Sequence, residues 1–186
     1  GGFNVFQIVP GNDGEWNALY WDQPAEGEAG GMIASSTDGV HWTKDNETRA
    51  VFTEHNDAYS LMRKEDRYLL YQTRLLDWSE KPFEDNLPGK RRSLSIRTSP
   101  DLEQWSPQEN ILEPDAFDAP TTEFYLMKVF PYAGRYFGIV MKYYADPTQP
   151  KKHSAILKYE LVVSSDGLQW QRPFRNYWSS QRWHWR

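Results

Sequence analysis

Cysteine is missing altogether from the 186 residues. Its absence excludes disulfides, thiol catalysis and Cys-ligated zinc, and it leaves the compartment open, because cysteine-free chains serve both inside and outside cells. No run approaches the roughly 20 consecutive apolar residues that a membrane helix requires, so no membrane partner is expected. Basic residues are in deficit: 21 Lys and Arg against 26 Asp and Glu give a net charge of −5. A phosphate-binding surface needs clustered cations, so no nucleic-acid partner is expected either. The four histidines, His41, His55, His153 and His184, lack the paired spacing of metal ligands, and no metal is assigned. Neither a Gly-rich phosphate loop nor a Gly-x-Ser-x-Gly elbow occurs, which leaves no cofactor and no serine-hydrolase chemistry to propose. The chain opens Gly1-Gly2 with no Met and no signal peptide, and is read as having either an engineered start or the start of an excised segment.

What the chain has in excess is aromatic side chains, 16% of the total, with nine Trp, eleven Tyr and nine Phe. Their spacing exposes an internal repeat. Ser36-Thr37-Asp38-Gly39-Val40-His41-Trp42, Ser99-Pro100-Asp101-Leu102-Glu103-Gln104-Trp105 and Ser164-Ser165-Asp166-Gly167-Leu168-Gln169-Trp170 all read Ser-x-Asp-(Gly/Leu)-x-x-Trp. The aspartates fall 63 and then 65 residues apart. Asp accepts hydrogen bonds from the backbone N–H groups ahead of it, Gly takes a positive φ, and the Trp anchors the turn against a neighbour. One turn with one anchor accounts for all three copies, so these aspartates are read as scaffold rather than as ligands or catalysts. Trp42, Trp105 and Trp170 are expected to be buried.

Strands surround each turn word. Tight turns at Gly14-Glu15, Asp66-Arg67 and Gly134-Arg135 lead into aromatic-rich strands over 16–21, 68–73 and 136–144. A further strand precedes each turn word, at 31–36, 93–99 and 156–164, and apolar inner strands are expected at 3–9, 58–63 and 124–132. No window carries a sustained helical period. Each unit is therefore a four-stranded antiparallel meander, and meanders repeating at this length describe propeller blades. The expected fold class is all-β: a single partial β-propeller domain over 1–186, with blades at about 3–50, 51–115 and 116–174 and a C-terminal tail at 175–186.

The turn words, taken with the run from Glu123-Phe124-Tyr125-Leu126-Met127-Lys128 to Phe137-Gly138, resemble the five-bladed propeller glycoside hydrolases, and most of all relatives of families 32 and 43. The resemblance covers roughly Phe3 to Phe174. It departs from the family in lacking Asn-Asp-Pro-Asn, Arg-Asp-Pro and Glu-Cys, and in holding three blades where five are needed. An arc of three blades leaves apolar faces uncovered, and a homodimer that completes the ring is the expected assembly.

Such a resemblance implies catalytic carboxylates at the starts of the innermost strands. Here that rule selects Asp57 and Glu123, 66 residues apart, with Asp118 as an alternative acid. Glycoside cleavage takes two carboxyl groups, one protonated and one ionised. A sugar in the same funnel would meet His55 and Asn56 beside Asp57, the guanidinium forks of Arg74 and Arg97, and the ring of Tyr125. For Arg92 and Arg97 the commoner alternative is pairing with acids at the surface. The implied function is a carbohydrate-active, glycoside hydrolase-like propeller with a glycan or oligosaccharide partner. The alternative is a non-catalytic propeller module for glycan binding or assembly.

Overall fold

The computed structural model describes residues 3–12, 14–23, 26–44, 50–53, 58–83, 85–146, 148, 155–175 and 180–181. Among them there is no helix, and twelve strands form three antiparallel four-stranded sheets. The first holds β1 (Phe3–Pro10), β2 (Trp16–Asp22), β3 (Gly30–Ser36) and β4 (Thr43–Lys44) in chain order. The second holds β5 (Tyr59–Lys64), β6 (Arg67–Asp77), β7 (Lys90–Ser99) and β8 (Glu109–Leu112). The third holds β9 (Thr122–Tyr132), β10 (Arg135–Tyr144), β11 (Ile156–Ser164) and β12 (Ser180–Gln181). Chain order equals spatial order in every sheet, which is the meander of a propeller blade. The outer strand of the third blade comes from within the segment read as a tail: Ser180 pairs with Lys158 and Gln181 with Leu157.

The three turn words close in the same way. Asp38 Oδ1 accepts the N–H groups of Val40 and His41, both at 2.8 Å, while Gly39 N–H donates to Ser36 Oγ at 2.8 Å. Asp101 Oδ1 does the same for Glu103 at 2.9 Å and Gln104 at 2.8 Å, and Asp166 Oδ1 for Leu168 at 2.8 Å and Gln169 at 2.9 Å. These donors hold Asp101 and Asp166 below the usual carboxylate range; for Asp38 the His41 ring is the larger cause. The position after Asp has φ of 75° at Gly39, 80° at Gly167 and 68° at Leu102. Leucine is therefore held where glycine is the natural choice.

The expectation that the three tryptophans are buried needs correction: all are half-buried. Trp42 Nε1 donates back to Gly39 O at 3.3 Å and Trp105 Nε1 to Leu102 O at 2.8 Å, so these indoles fold over their own turns and keep one edge at the surface. In the second turn word the buried side chain is Leu102.

By its internal contacts the chain divides into two compact units, Gly1–Tyr71 with Arg97–Gln108, and Gln72–Ile96 with Glu109–Arg186. The first has an ordinary apolar core of Val9, Leu19, Ile33, Phe52, Tyr59, Leu61, Tyr68, Leu70 and Leu102. Phe52 reaches it by lying directly on Gly31, with which it forms an isolated bridge. A Cβ added at Gly31 would fall 2.2 Å from the Phe52 ring. Gly31→Ala is accordingly expected to cost about 1–3 kcal/mol through overpacking, read as a lower urea midpoint at an unchanged slope. The second unit is built differently. Beside buried apolar side chains such as Leu94, Phe124, Met127, Val140 and Val162, it buries the charged Asp85, Arg92, Glu123, Lys142 and Glu160.

Candidate functional site

Glu123 is the second residue of β9, register partner of Tyr143 on β10, and entirely buried. A carboxylate in such a place must be matched by cations and donors. Arg92 on β7 places Nη1 2.6 Å from Oε2, and its own backbone N–H lies 3.3 Å from the same oxygen. Oε1 accepts from Lys81 Nζ at 3.0 Å. Lys81 belongs to the β6–β7 loop, and its ammonium also donates to Asp85 Oδ2 at 2.7 Å, Lys90 O at 2.9 Å and Leu87 O at 3.3 Å. Asp85 is buried, which opposes its charge. The hydrogen bonds from Lys81 and from Leu87 N–H outweigh that and lower its pKa.

Aromatic rings enclose these charges. The Arg92 guanidinium lies 4.6 Å from the Tyr143 ring centre and 5.4 Å from that of Tyr125, and the two rings stack at 6.2 Å and 22°. Tyr143 OH donates to Asn86 Oδ1 at 3.2 Å, and burial pushes its pKa up to about 12. Arg91 donates twice to Thr122 O, at 3.0 and 3.2 Å, and lies 4.6 Å over the Trp78 ring. Tyr125 and Trp78 are half-buried, so each offers an aromatic edge or face at the rim of the cluster.

A second charged cluster holds the approach to β9. Arg172, after β11, donates to Glu160 Oε1 and Oε2 at 2.7 Å each, and to Asp118 Oδ2 at 2.6 Å and Oδ1 at 2.7 Å. Lys142 on β10 bonds both acids at 3.0 Å. Side-chain exposures of 5%, 1%, 2% and 8% for Arg172, Glu160, Asp118 and Lys142 make this a buried quartet of two cations and two anions, with the more exposed Asp115 and Arg175 at its rim. It fixes the loop that delivers Glu123, because Asp118 sits five residues ahead of it.

The residues predicted from sequence fall into distinct places. Glu123 and Tyr125 both lie against the Arg92 guanidinium, and Glu123 is fully buried. Arg92 does not pair at the surface; it is 3% exposed and grips Glu123. Asp118 is not a spare acid, since both its oxygens are engaged. Arg97 lies in the first unit and donates to Ser106 O at 2.9 Å. Arg74 is half-buried on β6, its carbonyl accepting the Ser93 hydroxyl. His55, Asn56 and Asp57 lie outside the described residues. Lys81, Asp85 and Asn86 were not anticipated, because a Lys and an Asp four apart in a polar loop carry no sign of burial. Among the described residues, no group of three or more His, Asp or Glu is placed to hold a metal ion.

No protein-family model and no curated protein sequence matches the chain. Solved structures do. A family 32 β-fructofuranosidase of Bombyx mori in complex with sucrose aligns over 91% of this chain at 14% identity and a TM-score of 0.63. An α-L-arabinanase of Penicillium chrysogenum complexed with arabinobiose aligns over 91% at 13% identity and a TM-score of 0.57. An N-acetylgalactosamine deacetylase from F. plautii, in complex with blood group B trisaccharide, aligns over 91% at 14% identity and a TM-score of 0.59. The chain spans 34%, 49% and 51% of those three structures, respectively. Three four-stranded meanders and these likenesses make the chain a three-bladed stretch of β-propeller, similar in fold to propeller glycoside hydrolases.

Proposed function

We propose that the chain is a carbohydrate-active propeller segment whose glycan site centres on Glu123. The observation that carries this reading is the position and dress of that one carboxylate: at the head of an inner strand, ion-paired to Arg92, beside the stacked rings of Tyr125 and Tyr143. Carboxylates and guanidinium groups bond sugar hydroxyls, and aromatic rings meet the apolar C–H faces of sugars, so the set matches a polyhydroxylated ligand. The neighbours in complex with sucrose, arabinobiose and a trisaccharide supply the first probes. Titration calorimetry with these three sugars is expected to give binding by at least one of them, weakened about 10-fold or more in Tyr125→Ala, equivalent to about 1.4 kcal/mol. Absence of heat for all three at millimolar concentration would count against the reading.

Catalysis is the finer part of the proposal, with Glu123 as one carboxylate of the pair and Arg74 as a sugar contact. A non-catalytic glycan-binding module is the second reading, favoured by the complete burial of Glu123 between two cations. Release of reducing sugar by the unaltered chain, lost in Glu123→Gln, selects the enzyme; binding without release selects the module.

A second copy completing the ring belongs to the same proposal. Its support is the outward face of β9–β11, where Leu126, Phe130, Phe137, Ile139, Met141 and Leu161 lie side by side and none is buried. Such a face is worth covering at about 25 cal/mol per Å². Sedimentation at micromolar concentration is expected to show a species heavier than the 21.9 kDa chain, and a single species at that mass rejects the dimer.

A further inference from the structure

We propose that Asp85 is a second carboxylate of the Glu123 site and that Lys81 is its removable counter-ion, a reading that rests on Glu123 being the site carboxylate. Lys81 Nζ stands 2.7 Å from Asp85 Oδ2 and 3.0 Å from Glu123 Oε1, so those two oxygens are at most 2.7 plus 3.0 Å apart. Both side chains are nearly or wholly buried, at 3% and 0% exposure. Two carboxylates this close in a dry place coexist as anions only while cations sit on them. The groups facing them are Lys81 from the β6–β7 loop, Arg92 from β7, Tyr125 from β9 and Tyr143 from β10, with the Arg91 charge beyond.

The two cations are not equivalent. Arg92 is on a central strand and is clamped by its backbone position, its bond to Glu123 and the two tyrosine rings. Lys81 is on a loop, and three of its four acceptors, Asp85, Leu87 and Lys90, lie within nine residues of it. Its bond to Glu123 is the only one of the four that reaches β9. Swinging the ammonium away gives up its local bonds to Asp85, Leu87 O and Lys90 O and the face of the Phe83 ring, but only one contact with β9, and it leaves the Glu123–Arg92 pair intact. The site left behind holds two carboxylates and one guanidinium. A proton taken from solvent then settles on the pair, chiefly on Asp85, because Arg92 remains on Glu123. A sugar diol is suited to displace an ammonium from two carboxylates, since its two hydroxyls donate one hydrogen bond to each. Arrival of the sugar would thus convert Asp85 into a buried acid beside it.

Carboxyl-carbon NMR titrations of the unaltered chain, Lys81→Gln, Lys81→Met and the double variant Lys81→Gln/Asp85→Asn test this without any sugar. In Lys81→Gln, which keeps two N–H donors but no charge, one carboxyl of the pair is expected to titrate well above the ordinary carboxylate range. The elevated titration should vanish in the double variant. If every carboxyl of Lys81→Gln titrates at or below about pH 4.5, the pair is not coupled through Lys81 and the proposal falls. Loss of the β-sheet circular dichroism in both Lys81→Gln and Lys81→Met would also overturn it, because the ammonium would then be scaffold. Failure to bind any glycan would defeat the proposed function and leave this result standing.

Discussion

Replacing Arg172 by Met should lower the stability of the chain by about 3–5 kcal/mol, the usual cost of removing one partner from a buried ion network. Among the described residues Arg172 alone bonds all four carboxylate oxygens of Glu160 and Asp118, and its loss leaves two buried anions with Lys142 and, 3.8 Å from Asp118, the partly exposed Arg175. The neighbouring Arg175 is a built-in control. It pairs with Asp115 at side-chain exposures of 30% and 42%, so Arg175→Met should cost about 1 kcal/mol or less. Equal losses for the two variants in urea unfolding would refute the distinction between buried and surface pairs.

The same network sets a pH window. Burial opposes the charge of Asp118, but Arg172, Asp115 N–H and Lys142 outweigh it and hold the carboxyl below its ordinary 3.8. A depressed acid contributes stability fully above its unfolded pKa and loses it as pH falls through the folded value. Burial likewise opposes the charge of Lys142, whereas Asp118 and Glu160 raise it above 10.5, so its contribution is lost only as pH rises past that point. Without Arg172 the depression of Asp118 shrinks, and the acid unfolding midpoint of Arg172→Met is expected to move to higher pH.

The second large effect is expected at Leu102. Two of the three turn words carry glycine at this place, and Leu102 has φ of 68°, so a reader of the repeat alone would predict that Leu102→Gly stabilises the chain. Relief of the left-handed backbone is worth about 1 kcal/mol. Leu102 is, however, 3% exposed within the core around Phe52 and Tyr59, and deleting such a side chain costs about 2–5 kcal/mol. The net expectation is a loss of a few kcal/mol, measured by thermal or urea unfolding. A raised Tm would show that the leucine adds nothing to the core.

These cases mark what the sequence makes legible. The strands could be read because aromatic and β-branched runs between Gly, Asp and Pro have few other uses, and the turn words repeat at one period. The head of β9 could be placed for the same reason, and Glu123 with it. The surroundings of Glu123 could not. Lys81 and Arg92 lie 42 and 31 residues away from it, and Arg172 lies 54 from Asp118. Ion pairing at such separations leaves no periodicity, so Arg92 reads as a surface charge and Asp118 as an alternative acid. Trp42 and Trp105 were misjudged for a local reason: an indole N–H that bonds its own turn holds the ring over that turn.

The turn words also bear on how the chain reaches its fold. Each closes through bonds that span only two or three residues, from Ser to the position after Asp and from Asp to the two positions beyond. Such loops close with little entropic cost and on the time scale of hairpin formation, about 1–10 μs, before any distant strands meet. Three of them at regular intervals divide a slow search for non-local pairing into three short ones. Asp38, Asp101 and Asp166 would then be kinetic residues as much as structural ones, setting the register of a blade before its core exists.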